Sequence, residues 1–367
     1  MPPTAAVAQP IIDRVSSNTD TTSNVYPDRI VGPTTWDGKD LKAHPEKWIY
    51  HLTPEDITDI DQAIKHFLSL NIPFSQISPS TFPLTTFKNV IIKERNNLFQ
   101  GLGVGLIRGF PIEKYERKEQ VAMFMGIGSY FGTFKPQNRK GHILGHIKDL
   151  TEGSTTKVVY SAEDPTTRIY ATRKAQPFHT DSTDIVSLLC LNEGQEGGLS
   201  SVISSHTLYN RLRELRPDIV ELMKGPWLWD HKGEHDPSEA PYTTIQPMQY
   251  YENHLFTFWG PHFFETVSRF PGVVVEEKYL EAIRYIQDLC EREALYMKLQ
   301  TGDIQLVNNH ALLHARGAYK DIPGQTRHLL RLWFLVDEEV SGWKWPPNKK
   351  EYTHEYVKEQ VVPLEAE

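Results

Sequence analysis

Cysteine is nearly absent: the 367-residue chain has two, Cys190 and Cys290, each in an apolar stretch. That excludes a disulfide framework and fits two small buried thiols in a reducing, cytosolic setting. No apolar run approaches the roughly 20 residues that span a bilayer. The N-terminal MPPTAAVAQPIIDR lacks the charged start and apolar core of a signal peptide. Positive charge is not in excess either. With a formal net charge of −8, the overall balance gives no reason to bind nucleic acid or an anionic membrane. Also missing are a Gly-x-Ser-x-Gly elbow, a phosphate-binding loop and a dinucleotide-type glycine pattern, so hydrolase, kinase and nicotinamide readings have no foothold. What is present is 39% hydrophobic and 11% aromatic residues, enough to bury a large core.

Residues 1–25, rich in Ser, Thr, Pro and Asn without periodicity, read as a flexible extension to a single domain over 26–367. Thr53 as N-cap and Pro54 at the first helical position open a helix with Ile57, Ile60, Ile64 and Phe67 on one stripe. Two more helical patterns, around 86–98 and 114–130, flank the strand-like GVGLIRGFP. From 170 to 205, short strand-like runs alternate with turn residues, as in antiparallel sheet. Helices are expected over 206–224 and over 274–299, the latter with Tyr279, Ile283, Ile286 and Cys290 on one face. Between them, 227–270 reads as a long irregular excursion able to cover a site. Strands return in GDIQLVNNHALLHARGAY and RHLLRLWFLV.

The chemistry concentrates in those strand-like runs. In RHLLRLWF, alternation puts Arg327, Leu329, Arg331 and Trp333 on one face and His328, Leu330, Leu332 and Phe334 on the other. Arginines in a buried strand need an anion, either a structural carboxylate or a small carboxylate ligand held bidentately. In PFHTDST, His179 and Asp181 are two apart, so a strand would project both to one side, within reach of one metal ion. A His-x-Asp pair arises about once by chance in a chain of this composition, so it needs a third ligand. His314, in NNHALLHAR, lies in the second strand-rich region, and His-Asp-His is the facial triad of non-haem iron. Two further pairs four apart, His142 with His146 and His231 with His235, sit in glycine-containing stretches without helical periodicity, which argues against a helical zinc site.

The order His179-Thr180-Asp181, EGGLSS, NNHALLHAR, RHLLRLWF, over about residues 100–336, resembles the taurine dioxygenase-like (TauD/TfdA) family of Fe(II)/2-oxoglutarate-dependent dioxygenases, within the clavaminate synthase-like group. The resemblance implies a mainly β fold with helical decoration. Its core would be a double-stranded β-helix, a jelly-roll of two antiparallel sheets, with iron at the open end and 227–270 flanking the mouth. By the same resemblance His179, Asp181 and His314 are the iron ligands. Arg327 anchors the distal carboxylate of 2-oxoglutarate, and Ser200, where many members carry Thr, hydrogen-bonds it too. Arg331 lies near co-substrate and substrate, and Asn309 supports the ligands from behind.

The implied reaction uses Fe(II), 2-oxoglutarate and O2, releases succinate and CO2, and removes a hydrogen atom from an unactivated C–H of a small molecule. Hydroxylation, desaturation or oxidative cyclisation follow, in specialised metabolism or amino-acid and carboxylate oxidation. Trp333 and Trp259 are the aromatics expected to line the pocket. The chain also departs from the family. Ala175 stands where taurine-using members carry Asn, so taurine is not the expected substrate. Asn308-Asn309-His310 replaces Asp-Asn-Arg, and the stretch up to Arg327 is extended by DIPGQT. Two alternatives stay open on sequence alone: an iron oxidase that does not use 2-oxoglutarate, against which Arg327 and Ser200 argue, and a catalytically silent binding protein on the same fold, against which the complete triad argues.

Overall fold

The computed structural model describes residues 25–151, 167–235, 238–322, 324–349 and 359–366, so all but the last residue of the expected extension lies outside it. Two sheets dominate. The larger has the order β1 (Ile49–His51), β2 (Val104–Arg108), β14 (Ile304–Asn308), β6 (Ile185–Asn192), β17 (His328–Leu335) and β3 (Thr133–Phe134), and β4 (Leu144–Ile147) also pairs with β17. Only β1 and β2 run parallel among these pairs. The smaller sheet is antiparallel, in the order β13 (Leu295–Met297), β8 (Ser200–Ser204), β15 (Leu312–Arg316) and β5 (Gln176–His179). A short bridge joins β7 (Glu196–Gly197) to β16 (Tyr319–Lys320). The architecture is mainly β with helices packed outside it.

One apolar cluster takes Val104, Leu106, Cys190 and Leu329 from the larger sheet and Val202, Leu295 and Leu312 from the smaller, so it joins the two. The alternation expected along β17 is visible here. Leu329 enters this cluster, whereas Leu330, Leu332 and Phe334 enter another cluster built with the helices Pro54–Ser69, Phe87–Gln100 and Arg117–Gly128. Arg327 itself precedes the strand, and a register shift separates His328 from Leu329. Both cysteines are buried and unpaired.

The first helix starts as expected: the Thr53 hydroxyl accepts from the Asp56 amide at 3.2 Å and the Asp56 carboxylate accepts from the Thr53 amide at 2.9 Å, a reciprocal cap. Ile60, Ile64 and Phe67 are buried below it. Over 206–224 there are two helices, Ser205–Leu215 and Pro217–Met223. Pro217 has no N–H to offer and pushes Arg216 out of helical backbone, to φ −147° and ψ 67°. Over 274–299 the helix is Glu277–Glu293, and Leu295–Met297 forms β13.

The stretch 227–270 is not irregular. It folds into two antiparallel pairs, β9 (Trp227–Asp230) with β10 (Tyr242–Ile245) and β11 (Met248–Tyr251) with β12 (His254–Thr257), followed by the short helix Pro261–Glu265. The β11–β12 turn is made by Glu252 and Asn253, at φ 46° and 67°, the left-handed pair a two-residue hairpin loop needs. A cluster containing Trp227, Trp229, Trp259 and Phe264 lies beneath. Trp259, 1% exposed, is therefore core and not pocket lining. Gly-free aromatic runs give no alternation to read, which is why the strands were hidden.

The start of the helix Phe87–Gln100 is capped from a neighbouring helix. The Asp59 carboxylate accepts from the amides of Thr85, Thr86 and Phe87 at 3.0, 2.9 and 2.9 Å. Burial opposes its charge, but these bonds outweigh it and hold the carboxyl below its ordinary value. Asp59→Ala is expected to cost about 2 kcal/mol, read as a lower urea midpoint at neutral pH. Because the folded pKa is depressed, the stabilisation is present above the unfolded carboxyl value, near 4, and fades as pH falls through the folded one. The wild-type and variant midpoints should converge there.

Candidate active site

The site is built where the smaller sheet ends. β5 and β15 are antiparallel neighbours, and their register sets His179 directly opposite His314. Cross-strand partners have Cβ atoms about 5 Å apart, and the two imidazole rings meet at 4.2 Å between centroids. Asp181 is not on the strand, which stops at His179. It is fixed instead by Asn309, whose Oδ1 accepts from the Asp181 amide at 2.8 Å and whose Nδ2 donates to the carbonyls of Asp181 and Thr183 at 2.5 and 2.7 Å. Thr180, between the two, is clamped by its amide to the Trp259 carbonyl at 2.7 Å and accepts from the Trp259 amide at 2.8 Å.

Asp181 then lies 3.8 Å from His179 Nε2 and 3.7 Å from His314 Nε2. The three residues offer donor atoms all within 4.8 Å of one another, and no other such group of three occurs among the described residues. His142, His146, His231 and His235 belong to none. His146 Nδ1 instead meets His328 Nε2 at 2.8 Å. The His179 Nδ1–H donates to the Pro177 carbonyl at 2.9 Å, which leaves Nε2 as the acceptor nitrogen, and it accepts from Gln176 Nε2 at 2.8 Å.

Electrostatics select the ionisation state a divalent cation requires. Burial alone would raise the Asp181 pKa, but Arg331, with His314 and His179, outweighs it and holds the carboxyl at about 2. Burial pushes His314 down to about 3, aided by His179, and lowers His179 as well. Two neutral imidazoles and one carboxylate result. This donor set fits iron held by a facial triad, with positions left for other ligands.

Arg331 is on β17 and its guanidinium reaches Asp181 Oδ2 at 3.2 Å, the same oxygen that accepts from Trp333 Nε1 at 3.0 Å. Gln137 steadies the arginine, accepting from Nε at 2.7 Å and donating to the Arg331 carbonyl at 2.9 Å. Trp333 thus orients Asp181. Sequence reasoning missed Gln137, which lies in no motif and meets Arg331 only through the fold. Arg327 is 5% exposed, and its Nη1 is shielded from solvent with no hydrogen-bond partner among the described residues. A Cβ on Gly198 would sit 2.9 Å from Arg327 Nε, and Gly198 also has φ +66°. The second glycine of EGGLS therefore makes room for the arginine. Ser200 is buried on β8, in register with Arg316 of β15.

A cleft opens beside His179 and Asp181, lined among others by Tyr170, Gln176, Arg331, Lys232, His262 and Phe263. Three of these come from 227–270, Lys232 ahead of its short helix and His262 and Phe263 within it, and burial pushes Lys232 to about 8 and His262 to about 4. Neither Trp259 nor Trp333 lines it.

Comparison with known proteins places the chain in a family. Residues 70–333 match the taurine catabolism dioxygenase TauD, TfdA family. The taurine hydroxylase-like protein SAT17 of Stachybotrys chartarum is 29% identical over 89% of this chain and 86% of its own. FR-33289 synthase of Streptomyces rubellomurinus is 26% identical over 84% of this chain and 91% of its own. Among solved structures, asparagine oxygenase in complex with Fe(II), 2S,3S-3-hydroxyasparagine and succinate shares the fold at TM-score 0.61 and 15% identity, over 80% of this chain and 95% of that one. The non-heme iron oxygenase OrfP with Fe and alpha-ketoglutaric acid superposes at TM-score 0.57 and 15% identity, over 79% and 94%.

Asn309 holds both flanks of Asp181 without touching the three donor atoms. Asn309→Ala should therefore weaken divalent-cation binding by about 10- to 100-fold, measured by titrating metal-free protein with Co(II) and following the visible absorption. Unchanged affinity would show that the turn keeps its shape without the amide.

Proposed function

The chain belongs to the TauD/TfdA family and is a non-haem Fe(II)- and 2-oxoglutarate-dependent dioxygenase of small molecules; on that premise we propose that His179, Asp181 and His314 hold the iron and that Arg327 anchors the distal carboxylate of 2-oxoglutarate. The observation that carries the assignment is the convergence of two neutral imidazoles and one ionised carboxylate within 4.8 Å. A buried Arg327 with an unsatisfied guanidinium nitrogen supports the second half. Iron, 2-oxoglutarate and O2 together supply the oxidant that takes a hydrogen atom from a substrate C–H, with succinate and CO2 released.

The residues of this chain do the rest. Arg331 keeps Asp181 ionised and, with Trp333, turned toward the imidazoles. Ser200 offers a hydroxyl on the Arg327 side. Tyr170, Phe263 and the stem of Lys232 wall the cleft and keep water from it, while Lys232 and Arg331 give it positive potential suited to a small substrate with a carboxylate or similar group. The two facing sheets form the jelly-roll core, and 227–270 flanks the mouth of the site as an ordered insert within one domain over 26–367. Both cysteines buried as thiols fit a cytosolic setting. Among the described residues no helix is long and apolar enough to cross a membrane.

Anaerobic titration with Fe(II) and 2-oxoglutarate tests the assignment through the weak visible charge-transfer band of the chelate. Arg327→Lys should weaken 2-oxoglutarate by more than about 10-fold while leaving Fe(II) affinity intact, since charge survives but the two-pronged geometry does not. Equal loss of both ligands would remove Arg327 from the clamp. His179→Ala should abolish Fe(II) binding at stoichiometric metal, and full occupancy in that variant would mean the wrong ligand was chosen.

A further inference from the structure

Two residues beyond His314, Arg316 is almost as buried as Arg327, at 6% against 5% exposure. It ends β15 in register with Ser200 of β8, and shares with His314 the side of the strand that faces the site. One of its nitrogens is spoken for: Nη2 donates to the carbonyl of Thr172 at 3.0 Å and to that of Lys174. The other two, Nε and Nη1, are shielded from solvent and have no hydrogen-bond partner among the described residues. The same holds for Arg327 Nη1 and for the Tyr319 hydroxyl. These groups are neighbours. The Tyr319 ring packs against both guanidinium groups, 4.9 Å from the Arg316 Cζ and 5.2 Å from the Arg327 Cζ.

Two buried guanidinium groups on one ring repel each other, and neither loses its charge at neutral pH. Each unsatisfied buried donor adds roughly 1–3 kcal/mol of desolvation cost. Four donor atoms without acceptors call for a group that only accepts and carries negative charge, which describes a carboxylate. We propose that Arg316, with the Tyr319 hydroxyl, is a second anchor for the distal carboxylate of 2-oxoglutarate, opposite or beside the Arg327 fork. The inference rests on the Arg327 assignment above and extends it. Arg316 makes the co-substrate site selective for a dicarboxylate, because a 2-oxo acid without the distal group would leave both cations buried and unpaired. Arg316 also braces Thr172 and Lys174, next to Ile169 and Tyr170 of the cleft wall. The carboxylate anchor and the cleft wall are thus held by one side chain.

The test uses Fe(II)-loaded full-length protein, titrated anaerobically with 2-oxoglutarate and with 2-oxovalerate, which keeps the chelating 2-oxo acid and lacks the distal carboxylate. The charge-transfer band reports both affinities. Arg316→Gln is expected to weaken 2-oxoglutarate by about 10- to 100-fold, while Fe(II) and 2-oxovalerate affinities stay within about two-fold. Arg316→Lys, which keeps the charge and the buried stem, should fall between wild type and Arg316→Gln. The proposal is overturned if both variants keep wild-type affinity for 2-oxoglutarate, or if both lose the two oxo acids equally, as a mere brace of Thr172 and Lys174 would. Failure of the parent assignment is separately visible: Arg327→Gln would then retain the wild-type preference for 2-oxoglutarate over 2-oxovalerate.

Discussion

Everything at the site depends on the pairing of β5 with β15. An antiparallel register that sets His179 opposite His314 delivers two imidazoles to one point with no help from loops. The third donor cannot come from the same pleat. Asp181 follows the strand end, and its position is set by the two-sided grip of Asn309, which itself lies in the turn between β14 and β15. Two donors from adjacent strands and one from a turn leave the remaining side of the triad open. That open side faces the cleft.

Buried charge is the second constraint, and it is deliberately unbalanced on the cation side. Asp181 and Arg331 neutralise each other at 3.2 Å, and the pair keeps the carboxylate ionised against the pull of burial. Arg316 and Arg327 have no such counterpart among the described residues. The fold tolerates them through rigid support: the Tyr319 ring of β16 packed against both, carbonyls of Thr172 and Lys174, and a glycine at 198 whose missing Cβ gives Arg327 its place. A dianionic co-substrate would complete the charge balance, so affinity and selectivity share one electrostatic origin.

Helical periodicity and capping were legible wherever the pattern was long and local. Thr53, Pro54 and the Ile60, Ile64, Phe67 stripe behave as their spacing implies. The stretch 206–224 failed at one residue, since Pro217 splits a continuous apolar period that the eye joins. In 227–270 aromatic residues occur on both sides of short strands, and only packing of Trp227, Trp229 and Trp259 into one cluster shows which way each faces. Gln137 and Arg316 were illegible for a related reason: their partners are 194 and 142 or more residues away in sequence.

The sequence by itself determined the family, the chemical types of the donors and the alternation that turns Leu329 and Arg331 inward, because those are carried by local order and by the residues themselves. Only the tertiary structure decided that His179 and His314 are cross-strand partners, that Asp181 is pinned by Asn309, that Trp259 is core, and that Arg316 stands beside Arg327 with its donors unmet. The physical reason is that register and burial are set by contacts between distant strands. A cation's need for an anion becomes visible only once those contacts have excluded water from it.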